Sequence, residues 1–439
     1  MTNTRRTRLA TTFALAIAAV ASVRADTLGN FLRQGQFTGE LRSYYFMRDY
    51  AASSVPNAAA YSLSGLFEYQ TPTFLDGFSL DASYYSANAL GTHSDVPARV
   101  DTTLIGAANS INALGTAFLQ YQRHGVWIRL GDQTLATPWA NGSDSRALPS
   151  TYEAAYGKFT PVQGLTFHVL RILRYRSRTS DGYFRDNNYF ATGWRGDANY
   201  GGVANLPPGA AGTTGTFALA GEFRRRNLDA WIWYYDFTDF ARMAYAEGEY
   251  RFATQDALRP YAKAQLVREW NGSTAFASNG THLFGQAGTA ADNLTWGLVA
   301  GVKIRSFDLS AAYNRLQTRG TAAFGGGALV SPFTAGYATD PLFTTSMIRG
   351  LVELGPGEAW KLSGSWLTWG KRLQLITSFA RYRTAFNGTD TETYLDAIYQ
   401  PQSWWMGLSL RNRFEIANGR VNPGHQHFIY DRMQIDYRF

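Results

Sequence analysis

The chain of 439 residues has no cysteine, which excludes disulfide scaffolds, thiolate metal sites and cysteine nucleophiles in one step. That absence suits an exported protein, in which stray thiols would mispair. Charge is scarce as well: Asp, Glu, Lys and Arg make up 17% of the chain, against roughly 25% in soluble domains. No segment beyond the N-terminal stretch approaches the roughly 18 to 20 consecutive apolar residues that a membrane-spanning helix requires. Histidine occurs six times (His93, His124, His168, His282, His425, His427) and no G-x-S-x-G elbow is present, leaving little from which to assemble a nucleophile, base and orienting group. His425-Gln426-His427 directly follows Asn422-Pro423-Gly424, the context of an exposed loop, so neither a metal site nor a cofactor is expected.

The formal charge of +8 is no nucleic-acid signature. Arg5, Arg6, Arg8 and Arg24 fall within residues 1–25, which hold no acid, so 8 − 4 leaves +4 on the remainder. Those residues read instead as a cleaved secretory signal: a basic start, an apolar core from Phe13 to Val20, and a cleavage site at Val23-Arg24-Ala25. The expected domains are therefore a signal peptide over 1–25 and one mature domain over 26–439.

What is abundant is aromatic: Tyr 26, Phe 28 and Trp 12 together reach 15%. Period-2 alternation runs through the chain in segments of about 9 to 11 residues, the length of a tilted membrane strand. In the last such segment Met433, Ile435, Tyr437 and Phe439 oppose Arg432, Gln434, Asp436 and Arg438, one face suited to lipid and the other to water. Leu294, Trp296, Leu298, Ala300, Val302 and Ile304 oppose Thr295 and Lys303 in the same way, and Phe78, Leu80, Ala82 and Tyr84 oppose Ser79, Asp81, Ser83 and Tyr85. A soluble sandwich would alternate too. Aromatic clusters near strand ends (Tyr44-Tyr45-Phe46; Trp231, Trp233 and Tyr235; Trp366 and Trp369; Trp404-Trp405) favour the girdles of a membrane barrel.

Turn signals at Asp76-Gly77, Gly355-Pro356-Gly357 and Asn418-Gly419 alternate with long Gly-, Ala-, Ser- and Thr-rich stretches at 196–215, 271–292 and 318–343. With 439 − 25 = 414 mature residues and roughly 22 to 25 per strand and loop, the expectation is an antiparallel β-barrel of about 16 to 18 strands, wide enough for an aqueous channel. Plugging so wide a barrel takes an extra domain, which argues against a purely structural or adhesive role.

One segment breaks the alternation. Gly131-Asp132-Gln133-Thr134-Leu135-Ala136-Thr137-Pro138-Trp139 leads into Asp144-Ser145-Arg146-Ala147-Leu148-Pro149-Ser150-Thr151-Tyr152, and its prolines and glycines forbid a regular strand. Pro138, Asp144, Ser145, Arg146 and Pro149 together resemble the OprD-type family of substrate-specific outer-membrane porins, whose third loop carries such a segment and folds into the lumen. Leu41 to Asp49 looks like that family's first strand, with Ser43 and Met47 where Asn is common. Leu408 to Phe414 and Tyr430 to Phe439 are similar to its last two, and a terminal aromatic such as Phe439 resembles the outer-membrane assembly signal. The similarity covers most of 40–439, the middle by pattern only.

The resemblance implies an all-β transmembrane barrel of about 18 strands in the outer membrane of a Gram-negative cell, passively conducting small anionic or zwitterionic carboxylates, and the apolar, aromatic outer face suits a monomer or a trimer alike. It also implies a ladder of Arg along one wall: Arg42, Arg48, Arg146, Arg411 and Arg413, with Arg381 and Arg383 aligned less closely. Parity independently turns Arg411 and Arg413 away from lipid, and places Arg42 and Arg48 with Glu40, Tyr44 and Phe46 on a lumen-like face. The same parity turns Arg381 and Arg383 outward unless a bulge intervenes, or they sit above the membrane near the strand end. Guanidinium suits the role, being always charged and bidentate towards carboxylates. Pro138, Trp139, Asp144, Ser145, Arg146, Pro149 and Tyr152 are the expected constriction, with Trp139 and Tyr152 as its walls. Asp132, Asp144 and Glu153 are acids that could face the Arg wall across the pore, or Asp144 could instead hydrogen-bond the loop backbone. A general porin and, more remotely, a barrel-embedded hydrolase are the alternatives.

Overall fold

The computed structural model describes residues 25–107, 109–185, 187–189, 215–238, 240–254, 257–272, 291–320, 327–401 and 405–439. The signal segment up to Arg24, Trp404, His282 and most of the stretches at 196–215 and 271–292 lie outside them. A helix α1 (Ala25–Arg33) leads into eighteen strands. In chain order they are β1 (Gln36–Tyr50), β2 (Ala58–Gln70), β3 (Phe78–Asn88), β4 (Ser110–Arg123), β5 (Val126–Gln133) and β6 (Thr151–Val162). Then come β7 (Leu165–Arg176), β8 (Thr216–Arg225), β9 (Leu228–Phe237), β10 (Ala241–Arg251), β11 (Leu258–Gly272) and β12 (Asp292–Ile304). The last six are β13 (Phe307–Thr318), β14 (Gly357–Thr368), β15 (Leu373–Thr384), β16 (Gly388–Tyr399), β17 (Leu408–Asn418) and β18 (Phe428–Arg438); a helical turn α2 (Leu351–Leu354) lies between β13 and β14.

Each strand pairs antiparallel with its sequence neighbours, and β18 returns to β1 from Glu40↔Arg438 through Tyr50↔Phe428. The sheet is closed and has no edge, so every strand satisfies its backbone within the ring, the condition for strands to cross a bilayer. The alternation read from sequence is the alternation of faces. Met433 and Ile435 point out at about half their full exposure, while Arg432, Gln434 and Asp436 are buried inside. Leu63, Leu114, Leu130, Val169, Leu219, Leu266, Leu298 and Leu362 extend the apolar exterior around the ring, a continuous surface far larger than a soluble protein tolerates.

The aromatic clusters divide between two roles. Phe307 and Trp366 stack on the outer face with centroids 5.5 Å apart, and Trp369 and Trp405 are exposed at the same end, as a girdle requires. Tyr44, Phe46, Trp233 and Tyr235 are instead buried in the lumen, which corrects their assignment to the girdle. They share parity with charged inward residues such as Arg42 and Asp229, and parity overrides proximity to a strand end.

Connections at the α1 end are tight, two residues at 124–125, 163–164, 226–227 and 305–306. At the other end the third loop (134–150) and the seventh, over its described residues 327–356, turn into the barrel. Gly131 starts the third loop's inward course at φ +128°, where a Cβ would lie 2.2 Å from the Ala117 carbonyl oxygen, so only glycine permits the bend.

Candidate constriction and solute path

Period-2 geometry on β1 brings Glu40, Arg42, Tyr44, Phe46 and Arg48 to the lumen wall, as their burial records. Arg42 is almost wholly enclosed by acids. It donates to Glu40 Oε1 at 2.6 Å and to Asp144 Oδ1 at 2.7 Å, lies 3.3 Å from Asp436 Oδ1, and also donates to the Arg146 carbonyl at 2.6 Å. It is thus the bolt that fastens the third loop to β1, and its charge is already neutralised. Burial would push the Asp144 carboxyl up, but the Arg42 guanidinium holds it below the usual carboxylate range. Arg48 performs the same service for the second loop, meeting Asp101 at 2.9 Å and Thr103 at 3.2 Å.

The third loop occupies the lumen as expected, but its parts differ from the expected roles. Trp139 and Tyr152 are fully buried; the indole packs edge-on to Tyr245 and the Tyr152 hydroxyl donates to the Asn141 carbonyl at 2.7 Å. They brace the loop from behind and are not pore walls, because a large apolar ring gains more from packing than from facing water. Pro138 lies partly exposed on the far side. Pro149 is buried, its carbonyl accepting from Arg176 at 2.6 Å. Ser145 presents its hydroxyl to Arg146 at 3.1 Å, and the buried Arg146 guanidinium stacks over Phe46 at 5.0 Å. Of the three acids only Asp144 meets the Arg wall. Glu153 pairs with Arg174, and Asp132 sits beside Glu153 in register.

The seventh loop is a second inward element that no motif announced. Glu415, on the inner face of β17, accepts from Ser346 Oγ at 2.7 Å and from the Met347 and Ile348 amides at 3.0 and 3.2 Å. Arg349 donates to Glu392 Oε1 and Asn422 Oδ1, each at 2.7 Å. The two loops meet where Asn141 donates to the Thr339 carbonyl at 2.9 Å.

Between the loops and β14–β18 lies a luminal cavity of about 280 Å³, whose lining includes Ser145, Ser346, Lys361, Tyr394, Arg413 and Arg432 and no Asp or Glu. Arg413 and Arg432 are direct register partners; like charges so placed repel unless an anion lies between them. Arg413 makes no ion pair among the described residues, whereas Arg411 is held bidentate by Asp396 at 2.9 and 2.6 Å. Arg432 lies over Tyr430 at 4.1 Å. The sequence-based set missed Arg432 and Lys361, although Arg432 stood in plain alternation with Gln434 and Asp436. Arg381 and Arg383 do not join the path. Their neighbours Ala380, Tyr382 and Thr384 are the buried, inward residues; β15 carries no bulge in this stretch, so the parity reading holds and the ladder assignment is corrected.

Across the lumen a second cavity of about 430 Å³ is lined by Pro138, Trp231, Trp233, Tyr245, Glu222, Glu247 and Arg224 among others, Arg224 lying 3.6 Å from Glu222. Acids and aromatic faces thus oppose the basic wall, supplied by β8–β10 and not by the third loop.

No protein-family model and no curated protein sequence matches the chain. Solved structures do. Pseudomonas aeruginosa OccK9 (OpdG) superposes with a TM-score of 0.73 at 17% identity, over 93% of this chain and 99% of that one. A BenF-like porin from Pseudomonas fluorescens gives 0.73 at 14% over the same shares. Pseudomonas aeruginosa OpdK, determined with vanillate, gives 0.71 at 15%, again over 93% and 99%. The architecture expected from the OprD-type resemblance is the one observed, and the chain has the fold of the Occ and OprD-type outer-membrane porins.

Proposed function

We propose that this chain is an outer-membrane channel of a Gram-negative cell that passes small carboxylate-bearing solutes by passive diffusion, after export directed by residues 1–25. The observation that carries the reading is the cavity shared by Arg413, Arg432 and Lys361, three cations with no acid in the lining. A carboxylate entering there accepts charge-assisted hydrogen bonds from Arg413, in a lining whose other charges are also positive. The Ser145 hydroxyl, which accepts from Arg146, keeps its own proton to donate in the same lining, whereas those of Ser346 and Tyr394 are committed to Glu415 and Asp396. A site of moderate strength lets an anion leave as well as enter. The acids and indoles across the lumen suit the cationic or aromatic remainder of a solute, so amino acids and aromatic acids both fit. The vanillate in OpdK is a carboxylate of this kind. No covalent step, cofactor or energy coupling is involved, and assembly as monomer or homotrimer is compatible with the apolar exterior.

The test is single-channel conductance in planar bilayers, with chloride replaced stepwise by benzoate, glutamate and a basic amino acid. Small steps that benzoate or glutamate block transiently support the reading. Large unselective conductance would make the protein a general porin, and no conductance at all would remove the channel reading.

A further inference from the structure

The two guanidiniums that the lumen rejects have a partner of a different kind available. On the outer face of β13–β16 the pairing register sets Arg315, Glu358, Arg383 and Thr389 in one row, with Tyr313, Trp360, Arg381 and Thr391 in the next row down. Arg315 is neutralised by Glu358 at 2.8 Å. Arg174, Arg242 and Arg268 on the same rim likewise meet Glu153, Asp236 and Asp292. Arg381 and Arg383 differ from these: neither guanidinium makes an ion pair or hydrogen bond among the described residues.

Depth places this patch. Eight residues separate Arg315 from Phe307, whose row holds the stacked Phe307 and Trp366 of the opposite girdle. At ~3.4 Å per residue and a tilt near 40°, that is about 20 Å of height, close to the apolar band of a membrane barrel. The Arg row therefore lies at headgroup level in the outward leaflet. Beneath it Leu362 and Phe379 are exposed. Below them the same panel opens into an apolar groove of about 570 Å³, recessed at Gly364, Thr377 and Ala397 and rimmed by Leu309, Trp366 and Leu395. A hydrocarbon core ~30 Å thick gives each leaflet about half that depth, which carries a chain from the Arg row to the groove's upper edge.

We propose that the β13–β16 panel is a binding site for a phosphorylated lipid of the outward leaflet, its phosphate held by Arg381 and Arg383, and one acyl chain lying over Leu362 into the groove at Gly364. Charge complementarity supports an anionic headgroup, and a groove of aliphatic and aromatic side chains supports an acyl chain. The site rests on the membrane-barrel reading but not on the carboxylate path, from which it is separated by the barrel wall.

Native mass spectrometry of the detergent-purified barrel, titrated with a bis-phosphorylated, multiply acylated glucosamine disaccharide lipid, tests this. The same lipid after phosphatase treatment and a zwitterionic phospholipid are the comparisons. The wild type retains the phosphorylated lipid, R381Q/R383Q retains it at least ten-fold more weakly, and R381K/R383K stays within a few-fold of wild type. G364L fills the groove, where a Cβ meets Leu309 at an ordinary 3.4 Å, and lowers retention several-fold with the arginines intact. Equal retention by R381Q/R383Q, or of the phosphatase-treated lipid, overturns the proposal; so does a wild-type oligomer that R381Q/R383Q dissolves, which would make the panel a contact between copies. Conductance of the same preparations separates the readings: a conducting barrel that ignores the lipid sinks the lipid site alone, and a chain that never inserts sinks the barrel.

Discussion

Arginine is the residue on which this protein turns, and its copies do different work. Arg42, clasped by Glu40, Asp144 and Asp436, has no charge left to offer a passing anion; Arg413, with no ion pair among the described residues, does. Replacing Arg413 with Gln removes a charge-assisted hydrogen bond worth ~1.5–3 kcal/mol, so transient block by benzoate should weaken by roughly ten-fold or more. Current noise at fixed benzoate concentration measures it, and unchanged block would dismiss Arg413 from the path. Asp144→Asn should act otherwise. Arg42 keeps Glu40 and Asp436, so the barrel folds, but the third loop loses its ionic tie, worth about 1 kcal/mol for a half-exposed acid. Open-channel conductance should rise while anion preference stays. Sequence alone indicated that Arg42 and Arg413 both face inward; it held no record of which acids would gather around Arg42, because Asp144 is 102 positions away.

At the scale of elements, the third loop was legible and the seventh was not. Prolines, Gly131 and the Asp144-Ser145-Arg146 step marked the former, whereas 319–356 reads as an ordinary long loop. What draws it inward is a set of acceptors on distant strands, Glu415 and Glu392, and these are ordinary inward positions until the barrel closes. The loop holds its own titration. Burial, reinforced by the neighbouring Asp340, pushes Glu353 up to about 8, and burial pushes Asp340 up to about 6. Acids with raised values in the folded loop bind protons that the released loop gives up. The tucked state is therefore fully favoured below about pH 4 and loses stability as pH rises from there to about 8. Proteolysis of intact barrels should cut within 319–356 faster at pH 8.5 than at pH 5, with no matching change at 134–150. Asp144 and Asp101 lie below their ordinary values, so the third and second loops change in the opposite sense and only at acid pH.

For the whole molecule the governing fact is a ring with one face in lipid and the other in water. Leu298 sits at the middle of β12 and is exposed outward; Leu298→Arg should cost ~2–4 kcal/mol, read as a shift in the urea midpoint for unfolding from vesicles. Val299, its inward neighbour, is nearly buried in the lumen wall, and Val299→Thr should shift that midpoint by less than half as much. Equal shifts at the two positions would mean the faces are assigned wrongly.

The period-2 pattern determined which side chains of each strand share a face, because a one-residue step reverses every side chain; the aromatic content and the third-loop resemblance turned a pattern that a soluble sandwich shares into a barrel. Sequence left Arg381 and Arg383 open, parity turning them outward and the resemblance inward, and the bulge-free register of β15 decided for outward. What only the tertiary structure decided is which inward charges are spent on one another and which remain. That depends on residues brought together by ring closure: Asp144 and Asp436 around Arg42, Glu415 under the seventh loop, and Arg432 directly across from Arg413. Burial then settled the aromatic question, drawing Trp139, Tyr152 and Trp233 into packed positions inside the barrel, because apolar area removed from water outweighs the preference of any ring for an interface.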